Sequence, residues 1–285
     1  MTKAADPTYA VTGSSGRLGG RIARRLAAAG LSQTLLARTP SQAPVLPGAH
    51  ACPGSYSDAE AIGAALRPTD RVLMVSAAES PDRVAQHRTF IDAAAHIGVA
   101  HLVYISFCAA APDATFTIGR DHWHTEQYIR ASGLPFTFLR DNLYADFTPA
   151  LVGDDGVIRG PGGRGRAAVV AQDDIADAAV AVLTDADDHV GAVYTLTGPR
   201  ALSLDDIAAI LTEHSGRAIA YRDETMDEAY ESRAAYGAPS WQVDAWVSTY
   251  TAIAAGDFAT VTDDVPRLTG RPPTPLSEVI RSQAG

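Results

Sequence analysis

The run Val11-Thr12-Gly13-Ser14-Ser15-Gly16-Arg17-Leu18-Gly19 constrains this chain more than any other stretch, because it joins an apolar strand, Tyr9–Thr12, directly to an amphipathic helix over Arg21–Ala29. Each turn position calls for glycine for its own reason. Gly13 permits a tight exit from the strand, Gly16 lets the backbone approach a bound group with no Cβ in the way, and Gly19 lets the helix pack close to the sheet. The N–H groups that open a helix lack intrahelical partners and have the helix dipole behind them, so together they form an anion site. In a strand–turn–helix context this spacing reads as a pyrophosphate cradle, and therefore as a dinucleotide site.

The neighbouring sequence repeats the same alternation. Strands are expected at Gln33–Ala37, Arg71–Ser76, Leu102–Ser106 and Phe136–Leu139, with a weaker one near His50–Pro53. Helical stretches lie between them. Ser80-Pro81 predicts the start of one and Gly98 its end, and Arg120–Ser132 stops against Gly133. Alternation of this kind predicts an α/β chain: a Rossmann-type doubly wound parallel sheet, with a small, mostly helical C-terminal substrate lobe.

The rhythm changes after Tyr144. Residues 153–166 are glycine-rich without an apolar period and read as a loop or hairpin connection. Asp173–Leu183 predicts a helix with aspartates in its first turn, where the dipole favours them, and Val193–Thr197 a further strand. Ser203 and Asp206 form a capping-box-like start to Leu204–Leu211, and Thr274-Pro275 opens the last helix. The expected organisation is a nucleotide-binding domain over 1–150, to which 167–200 return. Residues 151–166 form a cleft loop, and 201–285 a small substrate lobe.

The end of the second strand bears on which dinucleotide binds. Sites selecting NAD place an acid there for the ribose 2′-hydroxyl, whereas an arginine accommodates the 2′-phosphate of NADP. Leu35-Leu36-Ala37-Arg38 supplies an arginine and no acid, and Arg17 in the glycine turn adds a second cation. The expected cofactor is NADPH/NADP. A formal net charge of -10 argues against nucleic acid or an anionic membrane as partner. No apolar run is long enough to span a bilayer, and the N-terminus shows no signal-peptide pattern. The two cysteines, Cys52 and Cys108, stand apart from any metal-ligand spacing, so no metal is expected and a reducing cytoplasm fits.

Several later segments carry a family resemblance: Tyr104-Ile105-Ser106, His122-Trp123-His124-Thr125-Glu126, Arg140-Asp141-Asn142-Leu143-Tyr144, Gly191–Gly198 and Leu268–Pro273. With the glycine turn and Arg38 they resemble the atypical short-chain dehydrogenase/reductases. The chain is most similar to the NmrA-like group, especially its NAD(P)H:quinone oxidoreductase branch. That resemblance implies a Rossmann domain, a small C-terminal lobe and a substrate cleft over the nicotinamide. It implies that Gly13, Ser15, Gly16, Arg17 and Leu18 wrap the pyrophosphate, with Gly19 closing the turn. Arg38 takes the 2′-phosphate, and Ser76 and Ala77 lead toward the nicotinamide ribose. Ser106 and Phe107 border the nicotinamide, while Asn142 and Tyr144 face the substrate. The sequence departs from the group's pattern at Ser55-Tyr56-Ser57-Asp58, at Gln127 and at Asp141.

One further fact limits the chemistry. Typical short-chain reductases use a Tyr-x-x-x-Lys pair, in which the lysine lowers the tyrosine pKa for proton exchange. Lys3, ahead of the first strand, is the only lysine here, so that pair cannot form. A quinone tolerates the loss, being already electrophilic. Candidate proton donors are Ser106, His122 and Tyr144; His124, two residues from His122, points elsewhere on a helix. Cys108 reads as structural, and Arg159, Arg164 and Arg166 as a solvated loop more than an anion-binding lid. Trp241, Trp246 and Tyr250 read as a core face. The leading expectation is an NADPH-dependent oxidoreductase that passes hydride to a quinone-like or polycyclic aromatic acceptor. An NAD(P) redox sensor without turnover, or a polyketide-tailoring enzyme whose cofactor role is altered or lost, stays open, as does a homodimer.

Overall fold

The chain forms parallel strands where short β-branched and aliphatic runs are bounded by turn residues, and helices where that period lengthens. The computed structural model describes residues 8–67 and 71–283, so Lys3 lies outside the described residues. Its regular elements begin with β1 (Tyr9–Thr12), α1 (Arg17–Ala28), β2 (Gln33–Ala37), β3 (Ala49–Pro53), α2 (Ala59–Leu66) and β4 (Arg71–Val75). There follow α3 (Arg83–Ile97), β5 (His101–Phe107), α4 (Thr117–Ser132), β6 (Phe136–Asp141), β7 (Val157–Gly160), β8 (Arg166–Ala167) and α5 (Gln172–Thr184). The last elements are β9 (Val193–Leu196), β10 (Leu202–Ser203), α6 (Leu204–Ser215), β11 (Ala220–Asp223), α7 (Met226–Ala234), α8 (Ser240–Ala255), α9 (Asp264–Thr269) and α10 (Leu276–Gln283).

A seven-stranded sheet runs in the order β3-β2-β1-β4-β5-β6-β9, and β3, β2, β1, β4 and β5 are parallel neighbours. The order reverses direction between β1 and β4. In such sheets ligands bind in the crevice beyond the carboxyl ends of the strands at that switch point. Gly13 and Ser76, which follow β1 and β4, sit there.

By its internal contacts the chain divides into two units. One draws on the chain through Ser106, on Trp123–Arg140 and on Ile175–Tyr194; the other comprises Phe107–His122, Asp141–Asp174 and Thr195–Gly285. The second thus takes in far more than the region after residue 200. In the first unit, Val72, Met74, Leu102 and Tyr104 from the sheet pack with Ile62 and Leu66 of α2 and Phe90 and Ile91 of α3. In the second, Ile158, Leu204, Ile207, Leu211, Ile253 and Phe258 form the centre of a separate core.

Several elements depart from the sequence reading, three of them near or in the candidate sites. α1 begins at Arg17, earlier than expected, with Gly16 as its N-cap. α3 begins at Arg83, not at Pro81, while Gly98 ends it in the left-handed region at φ 74°. The stretch 153–166 is not simply a loop: its Val157–Gly160 pairs in parallel with Ala220–Asp223, a strand the sequence reading placed among helices. The Ser203/Asp206 capping box forms as expected, each side chain meeting the other residue's backbone N–H.

Candidate dinucleotide site and its surroundings

Beyond β1 the chain turns at Gly13, whose φ of 63° is one that L side chains rarely adopt. Gly16 N donates to Gly13 O at 2.9 Å and so closes the turn. Gly19 packs beneath it: a Cβ there would lie 2.4 Å from Gly13 O and 2.8 Å from Thr12 O. No other residue fits that approach. The N-terminus of α1 is thereby aimed with Gly16 as its cap, a residue whose lack of a side chain leaves the opening N–H groups to a ligand.

A cavity of about 490 Å³ opens above this turn, lined among others by Gly13, Ser15, Gly16, Arg38, Ser76 and Ala77. Three residues assigned to the cofactor lie off its wall. Arg17 is exposed at the first position of α1, whereas the Leu18 side chain and Gly19 are buried beneath the turn. Arg38 is exposed and has neither an ion pair nor a side-chain hydrogen bond among the described residues.

The sequence reading missed two polar groups in this wall. Tyr56, within the segment that departs from the family pattern, lines the cavity and donates its hydroxyl to Val75 O at 2.6 Å, while also meeting Thr12 Oγ1. Burial pushes its phenol pKa upward, so Tyr56 stays protonated and serves as a brace. Ser80 lines the same cavity with a buried Oγ that has no partner among the described residues. A buried hydroxyl left in that condition is costly, and a ligand hydroxyl or phosphate would satisfy it. Helix terminus, close-approach glycines, accessible cation and waiting hydroxyl all fit a dinucleotide phosphate.

The candidate proton donors fare differently. Ser106 is fully buried and donates to Glu126 Oε1 at 2.6 Å. Glu126, itself fully buried, is held by Arg140 through two bonds of 2.8 and 2.6 Å. The Ser106 proton is therefore committed to a carboxylate. This triad was not visible in the sequence, because its members stand on three different elements. A lone buried carboxylate is strongly destabilising. Arg140→Met is expected to lower unfolding free energy by about 3 kcal/mol, checked by urea denaturation; a loss below 0.5 kcal/mol would show the pair to be dispensable.

In the second unit, the Asn142 amide is engaged with backbone. The residue is buried, donates Nδ2 to Phe258 O at 3.0 Å and accepts from Leu143 N at 2.7 Å. Tyr144 donates to Asp141 Oδ2 at 2.6 Å and lines a small apolar cavity of about 120 Å³ with Leu143 and Phe147. Phe107 packs against Phe116, Phe258 and the His122 ring at centroid distances of 5.2, 5.4 and 5.9 Å. His122 is buried in this aromatic cluster, while His124 is exposed.

Other readings of this region resolve case by case. Cys108 is buried, and Arg159 and Arg166 pair with Asp155 and Asp206, whereas Arg164 is exposed. Tyr250 is buried as a core residue should be, but Trp246 also lines a cavity of about 520 Å³ with Tyr236 and Arg159. Among the described residues no helix is long and apolar enough to cross a membrane.

A switch-point crevice with a close-approach glycine turn and a helix N-terminus free of any side-chain cap defines a dinucleotide-binding α/β protein. Comparison with known proteins then makes the assignment. The model of the NAD(P)H-binding family matches residues 13–186, and the chain belongs to that family. It is an NAD(P)H-dependent oxidoreductase. The NAD(P)H azoreductase of Xenophilus azovorans is 31% identical over 280 residues, covering 96% of this chain and 97% of that protein. A solved Escherichia coli NADPH-dependent quinone oxidoreductase complexed with NADPH superposes with a TM-score of 0.88 at 28% identity, covering 97% of this chain and all of that one. The negative transcriptional regulator NmrA, solved with NAD, shares the fold at a TM-score of 0.79 and 17% identity, covering 97% of this chain and 94% of that one.

Proposed function

We propose that this chain is an NADPH-dependent reductase that delivers hydride to a quinone-like or polycyclic aromatic acceptor. The observation that carries the acceptor class is the absence of a lysine-activated acid: the sole lysine is Lys3, and the Ser106 proton already belongs to Glu126. When bound, the nicotinamide supplies the hydride. An acceptor that is already electrophilic needs little protonation as it takes up that hydride, and the anion formed can draw its proton from water. In this reading the protein contributes orientation and exclusion of water. Gly13, Ser15, Gly16 and the start of α1 hold the pyrophosphate, with Arg17, Leu18 and Gly19 shaping the turn. Ser76 and Ala77 wall the ribose side. The Tyr144 hydroxyl, like that of Ser106, already donates to a carboxylate, Asp141, which leaves water as the proton source in this reading.

The test follows acceptor-dependent loss of NADPH absorbance over a panel of quinones, azo compounds and simple ketones. Turnover with the first two and none with the ketones is the expected result. Tight NADPH binding with no oxidation by any acceptor would overturn it in favour of a redox sensor. NADPH is expected to bind at least tenfold tighter than NADH. Arg38→Ala is expected to narrow that gap by about tenfold, the worth of one charge-assisted hydrogen bond. Equal affinities in the unaltered protein would defeat the preference.

A further inference from the structure

The wall of the dinucleotide cavity formed by the end of β4, which is in register with β5 up to Val75, and by the loop after it carries a set of side-chain hydrogen bonds. Val75 N donates to Thr12 Oγ1 at 2.9 Å and Val75 O accepts from Tyr56. Two residues further on, Ala77 N donates to His87 Nε2 at 2.9 Å, and Ala77 O accepts from Arg83 Nε at 2.9 Å. Both polar groups of one peptide residue are thus satisfied by α3. Arg83 and His87 stand four apart and so share a face of that helix. Arg83 is 3% exposed and His87 not at all.

The bond from Ala77 N settles the tautomer of His87. Nε2 must be the unprotonated acceptor, so Nδ1 carries the hydrogen and donates to Thr125 Oγ1 at 2.8 Å. The ring is boxed by Tyr56 and Tyr104 at centroid distances of 6.0 and 5.9 Å, and the charge of Arg83 acting on it is positive. Nothing here calls for a histidine as a titrating group. A neutral imidazole that accepts at one end and donates at the other is what the arrangement uses.

We propose that His87, assisted by Arg83, is a positioning residue of the cofactor site: it holds the Ala77 peptide as a rigid wall and so sets the affinity for NAD(P)H. The inference rests on reading the cavity above Gly13 as the dinucleotide site. It assigns no contact between His87 and the cofactor. Its action runs through Ala77 and the adjoining Ala78–Ser80 segment, which lines the same cavity.

The experiment is NADPH titration by calorimetry, with thermal melts in parallel, on the intact protein and five variants. His87→Leu keeps apolar packing but leaves the Ala77 N–H without an acceptor, and is expected to weaken NADPH binding about tenfold. His87→Gln offers an amide oxygen at similar reach and should recover most of that loss. Arg83→Met should weaken binding in the same direction. The comparison is His101→Leu, which removes an equally buried histidine whose Nε2 pairs with Thr137 Oγ1 at 2.8 Å at the opposite end of β5. It should lower the melting temperature while leaving affinity within about twofold.

Unchanged affinity in His87→Leu and Arg83→Met overturns the proposal, as does an equal loss in His101→Leu. If His87→Leu does not fold, His87→Gln and Arg83→Met decide. Gly16→Val checks the underlying reading, since its branched side chain fills the approach to the pyrophosphate. Normal binding by that variant would overturn the cavity assignment itself and this inference with it.

Discussion

Replacing Gly19 with alanine is expected to reduce NADPH affinity at least a hundredfold and to lower stability by about 3 kcal/mol. The added methyl carbon would stand 2.4 Å from Gly13 O, 2.6 Å from Gly13 C and 2.8 Å from Thr12 O. All three are main-chain atoms of β1 or its turn, so no side chain can swing aside. Either α1 lifts off the sheet or the turn opens, and both disperse the N–H groups that face the phosphates. Gly63→Ala is the matching control. Gly63 lies inside α2 with only Ile97 Cγ2 within 4.0 Å, and no left-handed backbone is required there. That variant should gain about 0.5–1 kcal/mol and bind NADPH normally. Parallel melts and titrations of the two variants check both halves; near-native binding by Gly19→Ala would sink the account of the turn.

Acid is expected to weaken the fold steeply. Burial, with Arg83 beside it, lowers the His87 pKa from 6.5 to about 3; burial and the charge of Arg71 lower that of His101 to about 4. In the unfolded chain both rings take up protons near 6.5, so below that pH the unfolded state binds more protons than the native one. The contribution is therefore complete above pH 6.5 and is lost as pH falls toward the folded values. Each histidine takes away roughly 1.4 kcal/mol per pH unit in that window. By pH 4.5 the two together cost on the order of 5 kcal/mol, comparable with the whole stability of a marginal domain. Urea midpoints measured between pH 7 and 4.5 should fall accordingly. His87→Gln should remove about half of the slope, since glutamine does not titrate; an unaltered slope would refute the assignment to His87.

What could be read from the sequence follows how local each feature is. The glycine turn, β1, β2, β5 and the capping box at Ser203 are set by neighbours within a few residues, and all were legible. The pairing of β7 with β11 was not. Each strand has only four residues, three of those in β11 are charged or aromatic, and the partners are 63 positions apart at Val157 and Ala220. Glu126 looked like any acid on a helix, and only the folded chain brings Ser106 and Arg140 to it. The backbone-fixing role of Asn142 was not legible, because Phe258, whose carbonyl it holds, lies 116 residues away in sequence. Tyr56 stood in a segment that departs from the family pattern, yet its hydroxyl braces Thr12 and Val75 at the centre of the site. Gly19 was read correctly for a reason the coordinates then made quantitative.

The last strand of the large sheet arrives late. β9 starts at Val193, more than fifty residues after β6 ends at Asp141, and the intervening chain contributes mainly to the other unit. During synthesis the outer border of β6 is therefore laid down well before the strand that covers it emerges from the ribosome. Neither unit is a contiguous segment, so neither can finish folding behind the other in simple N-to-C order. A nascent chain stopped between Asp141 and Val193 presents an uncovered strand edge, the kind of surface that recruits another chain. Truncation anywhere in that interval should yield an aggregating fragment rather than a free-standing nucleotide-binding domain.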